Sequence, residues 1–163
     1  MAVPTTHHKF DASAEPVWVL AAMASCSASG AGWINIQPSQ DASDDPEPFP
    51  APGGWFSSTA SGVPMVTWTA PQQGRKPSSA GKLATLGIQH GAGMRVLPWL
   101  RERGSERPMS WRVLADSPRR GVVLELPADA DPTDVVRWML AVLTLLSRDA
   151  IGHRFQATRF APA

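Results

Sequence analysis

The sequence predicts an α+β fold: an antiparallel sheet of four to five strands with helices packed mainly on one face. Three observations carry that expectation. Residues 111–126 read as a hairpin, residues 132–147 read as a capped apolar helix, and the runs at 32–38 and 63–69 alternate as strands do. The expected element order is α-β-(β)-β-α-β-β-α.

In chain order, residues 1–12 read as a flexible tail ahead of a single domain over 13–150. A helix is expected from Ala14 to Ala28, because Val17, Leu20, Ala21 and Ala24 fall on one stripe. Ser29 and Gly30 stop it, with Gly30 or Gly32 as the C-terminal cap. "GWINIQP" (32–38) is strand-like until Pro38. An irregular insert follows over 39–62, acidic in its first half and Pro/Gly-rich in its second, with a short strand at Gly54–Ser57. "VPMVTWT" (63–69) is a better strand. After a connector, helices are expected from Ala80 to His90 and from Arg95 to Arg103, with Pro98 either kinking the second or marking its start.

The hairpin "WRVLADSPRRGVVLEL" has its turn at Ser117–Arg120, so that paired residue numbers sum to 237. Trp111, Val113 and Ala115 then face Leu126, Leu124 and Val122, while Arg112 faces Glu125 and Leu114 faces Val123. The final helix, Pro132 to Ser147, has Asp131 to cap it, Pro132 at its first position and Asp134 in its first turn. Its body, "VVRWMLAVLTLLS", is apolar almost all round, so it must cover more than one face. Residues 151–163 read as a tail or an edge strand.

Composition bounds the function. A chain of 163 residues is large enough for one domain without staples. Its single cysteine, Cys26, forbids an internal disulfide, and Cys-rich metal sites are not expected. A net charge of +1 gives no electrostatic case for nucleic acid. The longest apolar run, Trp138 to Leu143, extends to Leu146 only across Thr144 and is too short to cross a membrane, and the first sixteen residues lack the basic-then-apolar pattern of a secretory signal, so a cytoplasmic location is expected. Twelve Arg against three Lys, with one Asn and no Tyr, fits a GC-rich bacterial genome.

Two resemblances follow from these residues. The element order resembles the secretion-chaperone-like fold, which implies a small homodimeric partner-binding protein. "WRVLADSPRRGVVLELPADADPTDVVRWMLAVLTLLS", together with "GIQHGAGMRVL", resembles small actinobacterial proteins that share a D-x-P-R-R-G hairpin and a following W-M-L helix. That group implies a lineage and no activity.

Chemistry-bearing candidates are few, and each has a plain structural alternative. Arg119 and Arg120 on a rigid turn can hold a phosphate or carboxylate, or simply be solvated. His90, Gly91 and Gly93 in "GIQHGAG" can present an imidazole and backbone N–H groups to an anion. The alternative makes His90 the last residue of a helix and Gly91 its left-handed cap. Cys26 reads as a small buried residue, His7-His8 as a poor metal pair, and the acidic run 41–47 as a solvated loop. Trp55 and Phe56 in the insert, and Trp138 and Leu145 on the last helix, are candidates for an interaction surface. No metal or cofactor is expected. The expected function is a non-catalytic protein-interaction module, a homodimer or chaperone-like adaptor whose partner is another chain, itself first of all. The alternative is a small-molecule or anion-binding protein, enzymatic or not, that uses His90 with Arg119 and Arg120.

Overall fold

Apolar residues at every second position of five neighbouring strands build one buried face, and that face fixes the architecture. The structure is a computed structural model and describes residues 5–11, 16–39, 63–72, 81–147 and 154–161. Within these, seven strands form one antiparallel sheet. They are β1 (Thr5–Asp11), β2 (Trp33–Pro38), β3 (Met65–Thr69), β4 (Thr85–Gln89), β5 (Arg112–Ser117), β6 (Gly121–Glu125) and β7 (Arg154–Phe160). Their order across the sheet is β1-β7-β2-β3-β4-β6-β5. Three helices, α1 (Val17–Ser29), α2 (Val96–Glu102) and α3 (Pro132–Leu146), complete the described elements.

The covered face carries Ile34 and Ile36, Val66 and Trp68, Leu86 and Ile88, Val122 and Leu124, and Phe155 and Ala157, all buried. Direct pairing places them side by side: Ile36 with Val66, Val66 with Ile88, Ile88 with Val122. The opposite face is mixed: Asn35, Thr69, Thr85, Gln89 and Thr158 lie there beside Met65, Val123 and Trp33, whose ring stacks on Phe160 with centres 5.0 Å apart, and Thr67 donates to Asn35 Oδ1 at 2.9 Å.

The helices begin and end where local chemistry tells them to. Gly30 adopts φ 66° after α1, and its N–H bonds back to the Cys26 and Ser27 carbonyls, as the sequence indicates. Asp131 caps α3 by accepting from Thr133 N–H at 2.7 Å, with Pro132 in the first position. Pro98 is the third residue of α2, where an N–H has no intrahelical partner to lose, so it causes no kink.

Four expectations are corrected. The sheet has seven strands rather than four to five. Residues 5–11 are not a tail: they pair along β7 from Thr5↔Phe160 to Asp11↔Arg154. β7 is not an edge, since β2 holds its other side. The stretch read as a helix from Ala80 to His90 contains β4, in which Leu86, Ile88 and His90 share the covered face and both flanks are paired. Pairing on both sides at the sheet centre outweighs a weak helical spacing. The proposed strand at Gly54–Ser57 lies outside the described residues.

The hairpin register is half as expected. Arg112 faces Glu125, with an ion pair at 2.9 Å, and Val113 faces Leu124. A bulge at Leu114 then shifts the pairing by one, so Ala115 faces Val123, Asp116 faces Val122 and Ser117 faces Gly121. The shift turns Asp116 onto the helix-covered face.

Candidate functional site

Where does the structure place the residues singled out in the sequence? Strand pairing brings one group of them together. Ile88 pairs with Val122, and Gly121 lies directly against the backbone of Ile88 and Gln89. The β5–β6 turn that carries Arg119 and Arg120 therefore emerges beside His90, at the end of β4. Ser117 Oγ accepts from the N–H groups of Arg119 (3.4 Å) and Arg120 (3.2 Å), which uses up the turn's backbone donors and leaves only the guanidiniums.

His90 ends a strand, not a helix, so Gly91 caps nothing. The left-handed glycine of this loop is Gly93, at φ 68°. His90 is 7% exposed. Its Nδ1 accepts from Ala92 N–H at 3.4 Å, which leaves the ring proton on Nε2. That Nε2 is buried and has no hydrogen-bond partner. A buried donor without an acceptor costs roughly 1–3 kcal/mol. Burial pushes the imidazole below its usual 6.5, and the Asp116 carboxylate pulls it partway back.

Asp116 joins the two halves of this corner. Its Oδ1 accepts from Val96 N–H, the first N–H of α2, at 3.2 Å. That bond holds the start of α2, and with it Arg95, against the hairpin. The ten arginines among the described residues then divide sharply. Arg101, Arg103, Arg112 and Arg137 have carboxylate partners. Arg107 donates to backbone carbonyls, Arg159 to Ser25 Oγ, and Arg154 is also engaged. Among the described residues only Arg95, Arg119 and Arg120 form no side-chain hydrogen bond, ion pair or ring contact, and all three lie on the β4–α2 loop or the β5–β6 turn, the segments that carry His90 and follow Asp116. A second buried orphan, Ser39 Oγ, follows the end of β2 at the same end of the sheet.

The sequence indicated His90, Gly91, Gly93, Arg119 and Arg120. It missed Arg95 and Asp116. The signal for Asp116 was masked by the bulge, because an unbroken register puts it at the turn and not over α2.

The interaction-surface candidates fare differently. Trp55 and Phe56 lie outside the described residues, as does the acidic run 41–47. Trp138 is buried at 8% exposure, stands edge-on to Trp111 with ring centres 5.2 Å apart, and donates from Nε1 to the Ser105 carbonyl at 3.3 Å. Leu145 is half-buried against the core. The apolar surface of α3 is used internally: Val135, Val136, Met139, Val142 and Leu143 are all buried, and the exposed stripe is Asp134, Arg137, Ala141 and Thr144. Trp138 is thus a core residue and not a docking residue. Cys26 is fully buried beside Gly32 and the far end of β7, at the opposite end of the sheet from His90. Among the described residues no three His, Cys, Asp or Glu side chains cluster as metal ligands, and no helix is long and apolar enough to cross a membrane.

No family model matches the chain, and comparison with curated proteins and with solved structures gives no significant match, so none of the three bears on the resemblances drawn from the sequence.

The depressed imidazole makes a testable statement about pH. His90 stays neutral in the folded protein at a pH where the unfolded chain already takes up a proton. Stability from this residue is therefore full above pH 6.5 and falls as the pH drops below it, with a slope of at most about 1.4 kcal/mol per pH unit. Urea midpoints of the parent and of His90→Gln, compared from pH 7.5 downward, should diverge with that sign. Parallel curves would refute the assignment.

Proposed function

We propose that the chain is a non-catalytic binding module whose ligand sits between the β4–α2 loop and the β5–β6 turn. The observation that supports this reading is the Nε2–H of His90: a buried donor with no acceptor, beside three arginines whose guanidiniums are unengaged. A ligand oxygen would satisfy the donor, and the arginines would supply attraction and orientation. Amide spectra test it. A set of small carboxylates, phosphates and neutral amides is added to the labelled protein and to His90→Leu. At least one class should move the Gly91, Gly93 and Val96 signals in the parent and need a higher concentration to do so in the variant. Silence at those amides in the parent would end the reading.

Self-association is a second reading, shifted from α3 to α1. The thirteen residues of α1 contain no charge, and Val17 stands 61% exposed on the same side as Ala21, Ala24 and Ala28. Two such faces could meet symmetrically without burying an ion. Light scattering over a dilution series decides it: a monomer at every concentration removes it.

A further inference from the structure

We propose, building on the binding role above, that the ligand of this corner is a small phosphate-bearing anion: inorganic phosphate or a phosphomonoester. The class follows from which groups are left over. Arg95 leaves the chain at the start of α2, while Arg119 and Arg120 leave it on the turn three and four residues after Asp116. Three exposed arginines thus leave the chain on the two segments that Asp116 ties together, and none of them pairs with that carboxylate, which accepts from Val96 N–H. Every other arginine among the described residues has at least one partner, so the arginines with none are confined to this corner.

A singly charged carboxylate offers two oxygens and would leave at least one guanidinium idle. A phosphoryl group offers three terminal oxygens and close to two negative charges near neutral pH. It also has room for one oxygen on the neutral His90 Nε2–H. Desolvation keeps that imidazole uncharged, so it acts as a directional donor and the arginines supply the charge. The left-handed Gly93 has nothing within 4 Å of the position a Cβ would take, so the loop beside His90 faces outward at that residue. The bulge at Leu114 gives the geometry its purpose: without it Asp116 would point to the other face, and α2 would carry no tie to the hairpin. A polyanion such as nucleic acid is disfavoured, because the unengaged arginines form one corner and not a stripe, and the chain's net charge is only +1.

The test is a titration with inorganic phosphate and, separately, phosphoserine, each against chloride at matched ionic strength, read from the amides of Gly91, Gly93, Val96 and Gly121 and from the arginine side-chain N–H signals. Saturable shifts confined to these groups are expected with phosphate or phosphoserine and not with chloride. The triple variant Arg95→Ala, Arg119→Ala, Arg120→Ala changes exposed side chains only and should fold normally, yet bind at least about tenfold more weakly, the least that losing charge-assisted contacts should produce. His90→Leu should weaken binding without removing the response of the arginines. If phosphate and chloride give the same shifts, or if the triple variant titrates like the parent, the phosphate assignment is overturned. If a neutral amide or a carboxylate moves the same amides while phosphate does not, the ligand class is wrong and the binding role stands. If a short oligonucleotide saturates the site at lower concentration than phosphoserine, the small-anion assignment falls. If nothing moves these amides, both fall together.

Discussion

Replacing Gly121 by alanine should cost more than about 3 kcal/mol, a large share of the roughly 5–15 kcal/mol that stabilises an ordinary domain. Gly121 opens β6 at φ 83°, a conformation that L-residues adopt at a cost, and a Cβ there would lie 2.0 Å from the Ile88 carbonyl oxygen and 3.1 Å from its carbon. Both obstacles are backbone at the centre of the sheet, so neither can move aside without breaking the β4–β6 pairing. Gly93 is the control. It has a similar φ of 68° but meets nothing within 4 Å, so Gly93→Ala should cost only about 1 kcal/mol. Denaturant unfolding of the two variants separates the steric cost from the conformational one. Equal losses would show that β4 and β6 do not approach as described.

Trp138→Ala should be the second large effect, at about 3–5 kcal/mol. The indole is buried, packs edge-on against Trp111 at 5.2 Å and donates to the Ser105 carbonyl. The same variant discriminates between two uses of α3. If α3 were a docking face, the loss would appear as a change of mass in solution at nearly unchanged monomer stability. As a core residue, Trp138 should lower the unfolding midpoint with no change of mass. Trp138→Phe keeps most of the packing but leaves the Ser105 carbonyl without its donor, for about 1–2 kcal/mol.

Much of the core arrangement was legible because it is written in local chemistry. Asp131-Pro132 starts α3, Gly30 ends α1, and the charge pair Arg112–Glu125 sets the outer half of the hairpin. What was not legible depends on partners distant in sequence. "TTHHKFD" has one strongly apolar residue, Phe10, and becomes a strand only because β7 offers it seven paired positions. "TLGIQ" carries too few residues to declare its period, and its identity as β4 is imposed by β3 on one side and β6 on the other. The apolar girth of α3 was plain in the sequence, but not whether its own chain or another would cover it. For the candidate corner, the residue types at 90–93 and 119–120 were visible. Their meeting rests on the β4–β6 register, and the part played by Asp116 rests on a one-residue bulge that no composition reveals.

The pairing of β1 with β7 has a consequence for how the molecule assembles. Thr5 meets Phe160, so the strand made first in this segment waits for one made some 150 residues later, and β2 has no neighbour on that flank until the same moment. Forming such a contact requires closing nearly the largest loop this stretch allows, which places it late on the folding route. During synthesis, the β2–β3–β4 block would carry a bare hydrogen-bonding edge at Trp33–Pro38 that could capture a strand of another chain. The point of greatest vulnerability to misassembly therefore lies at the far side of the sheet from the His90 corner, and a fusion or truncation that delays β7 should show itself first as aggregation and only afterwards as lost binding.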